Sequence, residues 1–204
     1  MNLLVTGGCG FIGSNFIEYV INKKEIHKLV NVDCLSYAGS LDNTYGFSQN
    51  KKYIFENYNL SKYDKTYDTF YKHDITHVVH FAAESHVDNS IKGSKEFIDS
   101  NVVGTHALLE AAKKFKTRFH HVSTDEVYGV AKDGEKFTEE TPYDPKNPYS
   151  ATKAASDFLV KSYVNTHGLK ATISNCCNNY GPNQHGEKFI PVIIDSLLND
   201  IQIP

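Results

Sequence analysis

The sequence predicts an α/β fold built on a doubly wound parallel sheet, and three observations predict it. Short apolar runs alternate along the chain with stretches of helical periodicity and short connections, the order that builds a parallel sheet with helices on its faces. The first of these runs ends in a glycine loop that opens a helix, Gly7-Gly8-Cys9-Gly10-Phe11-Ile12-Gly13. The fourth, His77-Val78-Val79-His80-Phe81-Ala82-Ala83, is apolar enough to be buried on both faces, as parallel strands are. With 204 residues, 40% of them hydrophobic, the chain is long enough for one sizeable domain with its own core and too short for a second full one.

The first strand is the run from Asn2 to Thr6, and Phe16, Ile17, Tyr19, Val20 and Ile21 mark the apolar face of the helix after the loop. The loop reads G-x-x-G-x-x-G through Gly7, Gly10 and Gly13, and G-x-G-x-x-G through Gly8, Gly10 and Gly13. Such glycines allow a tight turn and let a pyrophosphate approach the helix N-terminus, where free N–H groups and the helix dipole favour an anion. The next strand, Leu29-Val30-Asn31-Val32-Asp33, ends in an acid about 20 residues beyond the last glycine, the spacing of a ribose-binding carboxylate. Asp33 would accept from ribose hydroxyls and repel a 2′-phosphate, which favours NAD over NADP; the plainer reading is a cap in a strand-to-loop turn. Glycine loop and acid together make the predicted sheet one of the Rossmann type.

Residues 36–52 are polar and turn-rich, Tyr53-Ile54-Phe55 is a third strand, and a helix runs from about Lys65 to Lys72. After the fourth strand, whose Ala82 and Ala83 let backbone pack against a dinucleotide, a long helix runs from about Lys95 to Phe115. The fifth strand is Phe119-His120-His121-Val122. A helix then begins near Pro148, a favoured first-turn residue, and Ala171-Thr172-Ile173-Ser174 is the sixth strand. Repeats and low-complexity tracts are absent. Ligands of such sheets gather at the carboxyl ends of the strands, so Gly7 to Gly13, Asp33, Ala83 to His86 and Ser123 to Glu126 should share one crevice. The expected division is a cofactor-binding domain over residues 1–176 and the start of a substrate-binding region over residues 177–204.

Two constellations carry chemistry. Ser123-Thr124-Asp125-Glu126-Val127-Tyr128-Gly129 sets two adjacent carboxylates behind hydroxyls at the end of a strand. Held in different protonation states they are the acid and base that removing water across a carbon–carbon bond requires; the alternative is a solvated acidic turn. Tyr149 and Lys153 lie four residues apart on one helix face. A phenol titrates at about 10, and a neighbouring ammonium favours the phenolate, a base for a hydroxyl proton. The ten histidines form no ligand pair within one predicted helix, and the acid read beside His86 is Asp88, so no metal is expected. His80, His120 and His121 read as strand residues, and Cys176 and Cys177 as packing residues without an activating base.

Composition excludes several classes. A net charge of -3, no basic block and a single arginine, Arg118, argue against nucleic-acid binding. Cys9, Cys34, Cys176 and Cys177 lack metal-type spacing and read as reduced, hence intracellular. Without a targeting segment or a membrane-length apolar run, the expectation is a soluble cytoplasmic protein.

On Thr6 to Gly13, Asp33-Cys34-Leu35-Ser36-Tyr37-Ala38-Gly39, His80 to Asp88, Ser123 to Gly129, Tyr149-Ser150-Ala151-Thr152-Lys153, Asn178-Asn179-Tyr180-Gly181-Pro182 and Glu187-Lys188-Phe189-Ile190-Pro191, the chain resembles the extended short-chain dehydrogenase/reductases. Within them it is similar to the nucleotide-sugar 4,6-dehydratases, from Met1 nearly to Pro204. Thr124-Asp125-Glu126 discriminates, because related epimerases and decarboxylases keep the glycine loop and the Tyr/Lys pair but usually lack the two acids. The resemblance implies that Tyr149, with Lys153 and Thr124, deprotonates the sugar 4-hydroxyl as hydride passes from C4 to NAD. Glu126 then takes the C5 proton while Asp125 protonates the departing 6-hydroxyl, and hydride returns to C6. It implies cofactor contacts from Gly7, Gly10, Phe11, Ile12, Gly13, Asp33, Ser36, Asn59, Leu60, Ala82, Ala83, Ser100, Tyr149, Lys153 and Asn179. Substrate contacts would come from Ser85, Thr124, Asn178, Glu187 and Lys188. The implied substrate is dTDP-glucose or UDP-glucose, on a route to 6-deoxyhexoses such as rhamnose, and the implied assembly is a homodimer through the helices near Lys95 to Phe115 and Pro148 to Val164. Asn59 stands where the family usually has Asp, and Asn89 where it has Arg. Family members also continue beyond Pro204, so most of the C-terminal substrate lobe is expected to be missing. A sugar 4-epimerase or decarboxylase, and a catalytically silent NAD-binding module, stay open as alternatives.

Overall fold

The computed structural model describes residues 1–203. β1 (Asn2–Thr6), β2 (Lys28–Asp33), β3 (Tyr53–Asn57), β4 (His77–His80), β5 (Arg118–Thr124) and β6 (Ala171–Cys176) form one sheet in the order β3-β2-β1-β4-β5-β6. Every pairing is parallel. The chain winds outward from β1 to β3, then returns to the other side of β1 at β4, so strand order reverses between β1 and β4. A crevice opens there at the carboxyl ends.

The connections are α1 (Phe11–Val20), α2 (Tyr63–His73), α3 (Val87–Lys92), α4 (Lys95–Phe97) continued by a π-helical segment (Ile98–Gly104) into α5 (Thr105–Phe115), then α6 (Pro148–His167) and α7 (Phe189–Leu198). Alternate residues of each strand face opposite sides. Leu4, Val30 and Val78 pack under Phe70 of α2, Leu108 and Leu109 of α5 and Val160 of α6. Leu3, Val5 and Leu29 pack under Ile17, Val20 and Ile21 around α1. Fully burying one Val or Leu side chain stabilises by about 1.5–3 kcal/mol, so these two layers hold the sheet that places the loops. On the α1 side, Val79, His120 and Thr172 line an open cavity of about 560 Å³ together with Phe16 and Val20.

The helix that carries Tyr149 and Lys153 has the most complete local signals. The Asn147 side chain accepts from the Ser150 amide, the Ser150 hydroxyl answers to the Asn147 amide, Pro148 opens the helix and left-handed Gly168 (φ 65) closes it.

Several expectations need correction. The fourth strand stops at His80, three residues early, because its partner Thr6 gives way to the glycine loop; the Phe81 amide to the Thr6 carbonyl, 3.1 Å, is the last rung. The helix from Lys95 to Phe115 is interrupted by the π segment, whose buried Asn101 bonds the Glu84 amide (2.8 Å), the Glu84 carbonyl (3.0 Å) and the Thr152 hydroxyl (3.0 Å). Tyr19 is 72% exposed rather than on the buried face, with the Lys23 ammonium 4.1 Å from its ring centre. Helices α3 and α7 were not expected. In α7, Pro191 sits in the first turn, where a missing N–H is tolerated, and Phe189, Leu197 and Leu198 stay exposed. No helix among the described residues is long and apolar enough to cross a membrane.

Candidate active site

The crevice is a cavity of about 480 Å³. One end is made by the loop from β1 into α1. Gly7 adopts φ +72, and a Cβ there would lie 2.7 Å from the Ala82 backbone, so the loop rests directly on the chain leaving β4. Gly10 caps α1 without a side-chain bond, leaving the amides of Phe11, Ile12 and Gly13 without a helical partner. All of these residues line the cavity, as do Ala83, Ser36, Asn59, Leu60 and Ser100. Asp33 lies on the same wall. Its Oδ1 accepts from the Leu35 amide (2.8 Å) and its Oδ2 from the Cys9 amide (2.9 Å). Burial pushes its carboxyl up while these amides hold it down. Each oxygen keeps a second lone pair for a hydroxyl. Unpartnered amides, a glycine turn with no room for side chains and an acceptor at the next strand end fit a dinucleotide.

The opposite wall carries titratable side chains. Thr124 ends β5, and its hydroxyl accepts from the Glu126 amide (3.2 Å). Thr124, Glu126, Tyr149 and Lys153 line the cavity, as do Ser85, Asn178, Asn179 and Lys188. Asp125 and Glu187 are not on the lining. Asp125 instead meets the Cys177 thiol, whose proton the contact with its carboxylate and then its charge hold on, pushing the thiol up. Glu187 faces His86 at 3.4 Å and His185 at 3.6 Å, so the acid beside His86 is Glu187 rather than Asp88. Cys34, Cys176 and Cys177 all face the cavity, which corrects the reading of Cys176 and Cys177 as packing residues. Among the described residues no group of three His, Cys, Asp or Glu side chains is placed to hold a metal ion.

Tyr149 and Lys153 are both perturbed by burial. Burial, then the charge of Glu126, pushes the Tyr149 phenol up, while the Thr124 hydroxyl pulls it down. The Lys153 ammonium donates to the Val122 carbonyl at 2.9 Å, and burial draws it down to about 8. In this arrangement the Thr124 hydroxyl eases ionisation of the phenol.

Residues 4–203 match the family profile described as GDP-mannose 4,6 dehydratase. The chain belongs to the GDP-mannose 4,6 dehydratase family. It is 44% identical to a dTDP-glucose 4,6-dehydratase of Escherichia coli, over all of this chain and 62% of that protein. It superposes on the dTDP-glucose 4,6-dehydratase of Streptomyces venezuelae, solved with NAD bound, with a TM-score of 0.93 and 40% identity, over 98% of this chain and 63% of that one. A UDP-glucose 4-epimerase of Thermus thermophilus, also solved with NAD, gives a TM-score of 0.88 at 29% identity, over 100% of this chain and 64% of that one. The chain thus spans just under two thirds of the relatives it matches.

In this member of the GDP-mannose 4,6 dehydratase family, Asn147 links Glu126 to the start of α6. Its Oδ1 accepts from the Ser150 amide (2.8 Å) at the start of α6, and its Nδ2 donates to Glu126 Oε2 (3.3 Å). An Asn before Pro is a visible cap signal; its reach to Glu126 depends on the fold. Asn147→Ala is expected to destabilise by about 0.5–2 kcal/mol, the usual cost of losing a side-chain cap, and to free Glu126. Urea unfolding checks the first part, and an unshifted midpoint would refute the cap assignment.

Proposed function

We propose that this chain carries the cofactor domain and the reacting residues of an NAD-dependent nucleotide-sugar 4,6-dehydratase, a hydro-lyase acting on dTDP-glucose or UDP-glucose. The observation that carries the reading is Glu126 on the same cavity wall as Thr124, Tyr149 and Lys153, facing the glycine loop and Asp33. Residues 177–204 would begin the substrate-binding region. The setting would be the cytosol, upstream of 6-deoxyhexoses such as rhamnose.

Bound in the cavity, NAD would supply the reversible hydride acceptor that lets C4 of the sugar be oxidised and C6 be reduced. The chain's own groups do the rest. Phe11, Ile12 and Gly13 amides would hold the pyrophosphate at the α1 N-terminus, and Asp33 would accept from a ribose diol. Tyr149, with Thr124 beside it and Lys153 beneath, would take the proton of the 4-hydroxyl. A ketone at C4 acidifies the C5 proton, which Glu126 would remove, and Asp125 would protonate the departing 6-hydroxyl, so the net change is loss of one water. Asp125 lies off the cavity lining, so this last role requires its side chain to turn inward from Cys177. Ser85, Asn178, Glu187 and Lys188 would hold the sugar nucleotide.

The test is to incubate the protein with NAD or NADP and, separately, dTDP-glucose and UDP-glucose, and to seek the 4-keto-6-deoxy sugar by mass. A product lighter by one water supports the reading. A 4-epimer or a decarboxylated sugar instead would replace it, and NAD binding with no conversion of any nucleotide sugar by the full-length protein would favour a silent module. The same reading includes a homodimer through α5 and α6, where Phe158 is 55% exposed. A monomeric mass by light scattering would count against it.

A further inference from the structure

Behind the reactive wall lies a buried polar cluster that the chemistry above does not touch. Asp157, wholly buried, stands on α6 one turn beyond Lys153, so the two share a face. Its Oδ2 accepts from the Ser123 hydroxyl (2.8 Å), the Tyr143 hydroxyl (3.0 Å) and Asn175 Nδ2 (3.3 Å). Its Oδ1 lies 3.3 Å from His121 Nε2. Neither Oδ1 nor either ring nitrogen has a hydrogen bond of good geometry. One carboxylate therefore ties α6 to β5, β6 and the segment leading into the helix.

Lys153 is 3% exposed and has one hydrogen bond, to the Val122 carbonyl. A buried ammonium is costly unless a counter-charge is near. We infer that Asp157 is a positioning residue for the reaction: its carboxylate, one turn along α6 from Lys153, is the counter-charge for that ammonium and holds α6 against β5, so that Tyr149 and Lys153 stay aligned with Thr124 and Glu126. The catalytic meaning rests on the function proposed above; the effect on Lys153 belongs to the fold.

The groups facing Asp157 are His121 and Ser123 of β5, Asn175 of β6, Tyr143 and beyond it Tyr128 from the segment before α6, and Lys153 of α6. Lys161 stops at the Tyr143 hydroxyl, donating to it at 3.2 Å. Burial pulls Lys153 down, and the Asp157 charge is the first influence that pulls it back up. Burial pushes the Asp157 carboxyl up, but the contact with His121 and the charge of Lys153 outweigh it and leave it low. Burial first, then the Lys153 charge, draws His121 down to about 4. Near neutral pH the cluster therefore holds one ammonium, one carboxylate and a neutral imidazole. With the carboxylate gone, burial acts on Lys153 unopposed, and the ammonium gives up its proton at lower pH.

The test labels lysine at the ε-carbon with ¹³C and follows each signal against pH by NMR, with Lys153 assigned by its loss in Lys153→Gln. In Asp157→Asn the Lys153 midpoint is expected to fall by about one pH unit or more, a tenfold change in proton affinity. Asp157→Glu, which keeps the charge, is expected to restore most of that fall. An Asp157→Asn midpoint equal to wild type overturns the inference. So does a wild-type Lys153 that is already neutral at pH 7, whether or not Asp157→Asn folds. Absence of dehydration product with these shifts present would strike the functional reading and leave the role of Asp157 toward Lys153 standing.

Discussion

Glu126→Gln is expected to lower formation of the 4-keto-6-deoxy sugar by about 10²–10⁴-fold, the usual contribution of a positioned general base. The substitution is close to isosteric, and the new amide oxygen can still accept from Asn147, whose Nδ2 lies 3.3 Å from the present carboxylate. Fold and NAD affinity should therefore survive. If Glu126 acts at C5, oxidation at C4 precedes it, so the variant should still reduce NAD in a single turnover and then stall. Product mass and absorbance of the reduced cofactor, read together in a full-length form that turns over, check this. Undiminished product formation would remove Glu126 from the mechanism, and loss of NAD reduction as well would place its effect before C5.

Gly13→Ala is expected to destabilise the domain by about 1–3 kcal/mol, the range for overpacking a well-packed site, and to abolish NAD binding. An added Cβ would lie 2.2 Å from the Gly7 carbonyl oxygen, 2.9 Å from the Gly7 carbonyl carbon and 2.9 Å from Gly8 Cα. All three are backbone atoms, so no side chain can swing aside. The loop would have to open, carrying the Phe11 and Ile12 amides away from where the pyrophosphate would sit. Each kcal/mol corresponds to about 2–4 °C in Tm for a domain of this size. Thermal unfolding and an NAD titration check both halves, and an alanine variant with wild-type Tm and affinity would show that the loop has room this geometry denies it.

What the sequence revealed followed from how locally each feature is encoded. The glycine loop, Asp33 and the Tyr149/Lys153 pair depend on spacings of a few residues within a strand, a turn or a helix, and the cavity brings them together. Asn101 bonds Thr152 across 51 residues of sequence and Ser123 bonds Asp157 across 34; no spacing rule encodes such pairs, because the sheet order creates them. The end of β4 is hidden in the sequence because Phe81, Ala82 and Ala83 are as apolar as a strand. Only the departure of Thr6 into the glycine loop withdraws their partner. Asp125 and Glu126 are adjacent in sequence, but a helical turn at Asp125–Tyr128 sends neighbouring side chains in different directions.

The π-helical segment Ile98–Gly104 also has a consequence for inheritance. In an α-helix each residue advances the face by about 100°, and a π turn spreads its bond over one residue more. The helical run from Lys95 to Phe115 thus has two faces out of phase. Before the segment, Phe97 is aimed at the Tyr149 ring, 6.5 Å away; after it, Leu108 and Leu109 are aimed at the sheet. Deleting one residue between them would leave a good helix by propensity and a wrong one by phase, rotating either the hydrophobic seam or the Asn101 amide out of place. Length in this seven-residue stretch should tolerate change less than the identity of its exposed side chains does.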